Sequence, residues 1–328
     1  MLKLSVKKKT WQIVAVLALL IALPLFFGSS NYVMLLFSTA GIYAIAVSGL
    51  DILFGYCGQI SLGHSAFYGI GAYTTAILSR DLGMHPFITM IIGATLAMIV
   101  GILIAYPVSN LVTHFLSLAT IAFCELVYMF ITRSPGGITG DFTGFLGIPT
   151  IEVFGLTLNS RLSHYFLVVF CLAVFLFIKN RIVKSAIGRA FIAVRDNEHA
   201  AGGMGINARK YKVMAFAISA FYAGFAGTLH AHFKLYISPE IITRAQSILL
   251  LTMLIFGGRA SLIGPIIGAC LITFVNESLR VTGTLQMLLY GILLLVILIF
   301  MPNGLTEFLK DIKDTRIYKK VVGRFAGN

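Results

Sequence analysis

Three acids stand inside or beside long apolar runs: Asp51, Glu125 and Glu277. A carboxylate at membrane depth marks an ion or proton relay by default. It serves equally as a helix-end or interhelical hydrogen-bonding group, and that reading is favoured here. His230 and His232 are two residues apart, so on a helix they point from different faces and make a poor metal pair. The chain has no G-x-x-x-x-G-K-[ST] and no Gly-Lys pair at all, so it makes no phosphate cradle of that kind. H-E-x-x-H and the G-x-S-x-G elbow are also missing. Cys57, Cys124, Cys171 and Cys270 are far apart, without a C-x-x-C, each within or beside an apolar run. They read as small buried hydrophobes. No catalytic residue, metal site or cofactor of the chain's own is expected, and an intramembrane enzyme lacks a nucleophile or metal constellation.

Polar chemistry concentrates in two glycine-rich stretches. Gly55–Tyr73, "GYCGQISLGHSAFYGIGAY", opens an apolar span yet holds Gln59, Ser61, His64 and Ser65. Read as helix, Ser61, Ser65 and Gly69 share a face with His64 beside it. Such groups are tolerated at membrane depth where backbone is buried in protein or lines a watery cavity. "GGRASLIGPIIGA" (Gly257–Ala269) echoes it, since both contain G-x-x-S-L followed by glycine. Glycine-interrupted segments at matching places in two halves point to a transport path. Gln59, Ser61, His64 and Ser65 are therefore the candidate path residues; interhelical hydrogen bonding is the competing role, and chance is the competing account of the echo.

The elements that must position these groups are membrane helices. The 328 residues are 58% hydrophobic and 11% charged, with mean hydropathy +0.93, against about 25% charged in a soluble domain. Apolar runs near the length needed to cross roughly 30 Å of hydrocarbon fall at 11–28, 32–54, 60–79, 87–108, 112–131, 164–179, 211–231, 245–257, 260–278 and 285–301. The fold class is an all-α polytopic membrane protein, a bundle of about ten transmembrane helices. The net charge of +13 is concentrated at Lys3 to Lys9, at 179–212 and after Pro302. That distribution follows the positive-inside rule and argues against a nucleic-acid surface. With the first span uncleaved, an even count places both termini and all three basic clusters in the cytoplasm. The expected organisation is a cytoplasmic N-terminus at 1–10, a transmembrane domain at 11–301 and a basic cytoplasmic tail at 302–328. Within the domain lie a turn-rich external loop at about 132–163 and a cytoplasmic loop at about 180–210.

Small residues recur every four positions. Gly93, Ala97, Gly101 and Ala105 form one set; Ala215, Ser219, Ala223, Gly227 and Ala231 a second; Ala260, Gly264 and Gly268 a third. Each set lies on one helix face and lets backbones approach closely.

The cytoplasmic stretch "RDNEHAAGGMGINARKYK" (Arg195–Lys212) is polar and glycine-broken. Asp196 or Asn197 caps a short helix, with Glu198 in its first turn. Ala200 and Met204 share a face at i, i+4, and Gly205 and Asn207 end the helix. The helix would lie outside the membrane and press into a groove on a partner; a solvated topogenic loop is the alternative.

The stretch resembles the cytoplasmic coupling loop of ABC-importer permeases, the "EAA---G" motif. Aligned on Gly205, the small pair is Ala200-Ala201 and the Glu position holds His199, with Glu198 one residue early. "GYCGQISLGHSAFYGIGAYTTAIL", "AVRDNEHAAGGMGINARKYKVMAFAISAFYAGFAGTLHAH", "ISPE" and "FGGRASLIGPIIGA" together resemble the M-type permease subunit of branched-chain amino-acid importers, over roughly residues 35 to 305. The resemblance implies a bacterial cell-membrane subunit that pairs with a sister H-type permease. Two ATPase subunits would bind ATP and dock on a coupling helix formed from Asp196, Asn197, Glu198, His199, Ala200, Ala201, Met204 and Gly205. An extracytoplasmic binding protein would deliver leucine, isoleucine, valine or a related small amino acid or amide. The alternative function is a stand-alone ion-coupled secondary transporter using Asp51, Glu125 or Glu277.

Overall fold

The computed structural model describes residues 30–109, 113–153, 156–157 and 160–280, with isolated positions beyond them. Helix α1 (Asn31–Leu50) starts at Ser30, whose hydroxyl accepts from Val33 N, and runs on into a wider π turn over Asp51–Tyr56. After a non-helical loop come α2 (His64–Arg80), α3 (Pro86–Val108) and α4 (Thr113–Arg133). Then follow α5 (Arg161–Lys184), α6 (Ala186–Asp196), α7 (Glu198–Gly203), α8 (Ala208–Lys234), α9 (Arg244–Gly257) and α10 (Gly264–Arg280). Strand β1 (Phe145–Leu146) pairs antiparallel with β4 (Tyr236–Ile237), with Phe145 opposite Ile237. Strand β2 (Glu152–Val153) pairs with β3 (Leu156–Thr157).

Among the described residues five helices are long and apolar enough to cross a membrane: Asn31–Tyr56, Pro86–Val108, Phe115–Arg133, Arg161–Lys184 and Ala208–Lys234. Helices stand on eight of the ten expected ranges. The ranges 11–28 and 285–301, and the basic tail, lie almost wholly outside the described residues. Two expected spans begin late. The helix expected from 60 starts at His64, and the one expected from 260 starts at Gly264. In each case a left-handed glycine, Gly58 (φ +75°) or Gly258 (φ +103°), first turns the chain out of the preceding helix. Ser61 therefore lies in a loop and does not share a helical face with Ser65 and Gly69. Ala260 (φ +52°) likewise stands in a loop, off the face that carries Gly264 and Gly268. The 180–210 segment, expected as a loop with one short helix, also contains α6. Ser185 caps that helix by accepting from Ile187 N and Gly188 N, and Phe191 and Val194 anchor it inward.

The core is built on small residues. In α3, Gly93, Ala97, Gly101 and Ala105 are buried, whereas Ile91, Leu103 and Tyr106 are exposed. All five members of the α8 set are buried too. A side chain at Gly227 would strike the carbonyl of Tyr68 in α2, and one at Gly71 would strike the carbonyl of Gly224. Helices α2 and α8 thus touch backbone to backbone. In a membrane bundle association comes from such packing, and large apolar side chains go to the lipid side. Helix α8 sits centrally, packed against α1, α2 and α3.

Candidate functional site

Two short helices begin inside the bundle. Helix α9 has 14 residues, about 21 Å at 1.5 Å per residue, too short to cross roughly 30 Å of hydrocarbon. Its first turn meets the first turn of α2. Ser65 N donates to Ser247 Oγ (3.0 Å), and the Ser65 hydroxyl lies 2.6 Å from Ser247 Oγ, 2.9 Å from Ile242 O and 3.0 Å from Thr243 O. The Cys124 thiol of α4 donates to the same Ile242 carbonyl at 2.8 Å. Leu62 N donates to Thr120 Oγ1 (3.1 Å), which ties the entering loop to α4. These bonds answer how irregular backbone survives at depth: it is buried in protein and its polar groups are paired.

The four candidate path residues all belong to this re-entrant segment and all are buried. His64 Nε2 lies 3.2 Å from Ser219 Oγ of α8, and its ring meets Phe67 edge to face. Ser65 joins α2 to α9 as described. Gln59 Oε1 and the Ser61 hydroxyl have no hydrogen-bond partner. His64 and Ser65 thus hold helices together, while Gln59 and Ser61 keep unused polar capacity.

Each of the three acids has a partner. Asp51 Oδ2 lies 2.8 Å from Lys179 Nζ, both side chains fully buried. Asp51 Oδ1 accepts from Ala260 N (2.7 Å), Lys179 Nζ donates to Ser261 O (3.0 Å), and Tyr56 Oη donates to Ala260 O (3.0 Å). The pair therefore grips the G-x-x-S-L loop that follows α9. Its counterpart follows the π turn. In both loops a left-handed glycine is followed by five residues before the next helix begins. Gly55 brings the two together, because a Cβ there would lie 2.6 Å from Ala260 N. The sequence echo thus corresponds to two loops of equal length, each opened by a glycine at positive φ, the second carrying a further positive-φ residue at Ala260. Lys179 was missed as the partner because it ends an apolar run and reads as one more topogenic cation.

Glu277 accepts from Tyr32 Oη (2.7 Å) and lies 3.4 Å from Arg280. Glu125 of α4 pairs with Arg244, the first residue of α9, at 3.1 Å. This pair is not buried within the chain, with side chains 38% and 62% exposed. A charge facing hydrocarbon at the bilayer centre costs about 2.5–3.5 kcal/mol on insertion scales.

The basic segment forms an elbow. Asn197 caps α7, its Oδ1 accepting from Ala200 N at 3.0 Å. Gly205 is left-handed (φ +82°) and follows the helix. Asn207 does not end α7; its Oδ1 accepts from Lys210 N and caps α8, because an Asn in extended backbone favours a helix start. Ala201 is buried, whereas His199, Ala200 and Met204 are exposed, Met204 by 84%. Glu198 pairs with Lys212 (2.7 Å) and Asp196 with Arg195 (2.9 Å). Arg195 also donates to Gly55 O at 2.8 Å, bridging the elbow to the π turn. A cavity of about 220 Å³ opens between them, lined by Gln59, Arg195, Asn197, Glu198 and Lys212. Cys57 lies on its wall, and burial pushes its thiol up to about 12 despite nearby Lys212. Among the described residues no group of three or more His, Cys, Asp or Glu side chains is arranged to hold a metal ion.

Residues 31–299 match the family described as branched-chain amino acid transport system / permease component. The high-affinity branched-chain amino acid transport system permease protein LivM of Escherichia coli is 33% identical, over 92% of this chain and 75% of its own length. The corresponding LivH protein of the same organism is 26% identical, over 80% of this chain and 90% of its own length. The ribose import permease RbsC of Haemophilus influenzae is also 26% identical, over 83% of this chain. No solved structure matches significantly. A helical bundle with re-entrant glycine loops, matched over most of its length, places this multi-pass membrane protein in the branched-chain amino acid transport permease family.

Proposed function

We propose that this chain is a transmembrane permease subunit of an ABC importer for branched-chain amino acids or a related small amino acid. It forms the path with a sister H-type permease. Two cytoplasmic subunits bind and hydrolyse ATP, so the chain needs no cofactor of its own, and an extracytoplasmic binding protein supplies the substrate. The basic end of the bundle, with α6, α7 and both termini, faces the cytoplasm of a bacterial cell, and the full chain has ten spans. The greater identity to LivM than to the ribose permease supports an amino-acid cargo.

The observation that carries the reading is the elbow. Helix α7 and its C-terminal cap present His199, Ala200 and Met204 outward while Arg195 reaches back to Gly55 O in the π turn that leads to Gln59 and Ser61. A push on α7 is thereby delivered to the re-entrant segment, as coupling between two states requires. Asp196, Asn197, Glu198, His199, Ala200, Ala201, Met204 and Gly205 make the ATPase contact in this reading, and Gln59, Ser61, His64 and Ser65 border the path. The ion-pair and hydrogen-bond partners of Asp51, Glu125 and Glu277 weigh against an ion-coupled carrier that needs one of them free.

The test is purification of the tagged chain from native membranes in mild detergent. P-loop ATPases and a second permease are expected to accompany it. A chain that purifies alone and transports in liposomes on an ion gradient without ATP sinks the reading. Gly205→Pro, which cannot adopt φ +82°, is expected to leave insertion intact and abolish uptake.

A further inference from the structure

Glu125 stands twelve residues from one end of α4 and eight from the other, about 18 Å and 12 Å at 1.5 Å per residue. It therefore lies near the middle of a hydrocarbon layer roughly 30 Å thick. Arg244 is held at that depth by the 3.1 Å ion pair and by the junction of Ile242 and Thr243 with Ser65. Both charges remain substantially exposed on the chain's surface. Ionisable side chains at such depth face a bundle interior or a watery cavity, not lipid. This face must then be covered by protein or open to water.

What surrounds the pair narrows the choice. One turn on from Glu125 is Met129, 52% exposed, and one turn on from Arg244 is Ile248, 41% exposed. The surface is a carboxylate and a guanidinium with aliphatic flanks. Arg244 also stands at the start of α9, where the positive end of the helix dipole favours an anion. An α-amino acid zwitterion with an aliphatic side chain is complementary in every part.

We infer that Glu125 and Arg244 form a transient binding site in the translocation path, Arg244 receiving the α-carboxylate and Glu125 the α-ammonium of an aliphatic amino acid. This inference rests on the permease reading above and supplies the contacts it leaves open. In the empty path the two residues neutralise one another. A zwitterion replaces their single ion pair with two, so binding competes with the internal pair and stays weak. A conducting site must bind well enough to admit its cargo and weakly enough to release it.

The experiment uses native membrane vesicles that contain the chain with its natural partners. Glu125→Gln and Arg244→Gln are expected to accumulate normally and lower leucine uptake on the order of tenfold or more, as loss of one hydrogen bond to a charged group does. Ala245→Cys, on the exposed first turn of α9, is expected to react with a membrane-impermeant methanethiosulfonate. Leucine should slow that reaction, and leucinol, which lacks the carboxylate, should not. A purely structural ion pair would give no such protection. Uptake within about twofold of wild type in both variants, an effect too small for a lost charge contact, overturns the site. So does a cysteine at 245 that is inert to the aqueous reagent. If the charge variants fail to accumulate, the cysteine experiment decides alone, since its background keeps both charges. Wild-type vesicles that take up no leucine would remove the amino-acid reading, whereas labelling without leucine protection removes the site.

Discussion

Substituting Lys179 by methionine tests the argument for the grip on the second glycine loop. The lysine and Asp51 are fully buried and 2.8 Å apart. Lys179→Met preserves most of the side-chain volume but leaves a buried carboxylate without its counter-charge. Breaking a buried pair on one side destabilises by about 3–5 kcal/mol. Adding Asp51→Asn removes the uncompensated charge, and the asparagine oxygen still accepts from Ala260 N. What stays lost is the lysine bond to Ser261 O, a deficit of about 1–3 kcal/mol for one buried unsatisfied group. The double variant is therefore expected to be more stable than Lys179→Met by about 2 kcal/mol. Reversible unfolding of the purified protein in a mixed-micelle SDS titration measures all three. A single variant within about 1 kcal/mol of wild type would refute the reasoning, and so would a double variant no more stable than the single one.

Three further outcomes are expected. Gly227→Leu should prevent α2 and α8 from closing against the Tyr68 carbonyl, so the chain should be degraded or migrate as an expanded species in size-exclusion chromatography, whereas Gly203→Ala, with open space around it, should not. Asn197→Ala removes the α7 cap and should loosen the elbow by about 1 kcal/mol, read as faster amide exchange over 198–203 without change in α8. The Cys57 thiol is held protonated by burial, up to about 12, so its alkylation should be slow at neutral pH and keep rising well above pH 9, whereas a free cysteine titrates near about 8.5; a plateau near pH 9 would contradict the burial.

Much of the architecture was legible because membrane helices announce themselves by length and hydropathy. The α3 range was expected at 87–108 and found at Pro86–Val108. Starts next to glycine loops were not, because 60–63 and 260–263 are as apolar as helix and only backbone sign at Gly58 and Gly258 separates them. Helix α6 was missed because its eleven residues are too few to span a membrane and sit inside a basic segment that reads as loop. The candidate polar residues around His64 were visible as exceptions in an apolar span. The pairs were not. Asp51 and Lys179, or Glu125 and Arg244, are separated by more than a hundred positions, and neither composition nor period brings them together.

The two glycine loops have a mechanical consequence. Each interrupts a helix, so each is a place where the rod in front can swing relative to the rod behind. Asp51, Lys179 and Tyr56 fasten the second loop to the turn that leads into the first. Two joints pinned to one another lose their separate freedoms and act as a single crank. Displacement of the rod before Gly58 is thereby geared to displacement of the rod before Gly258.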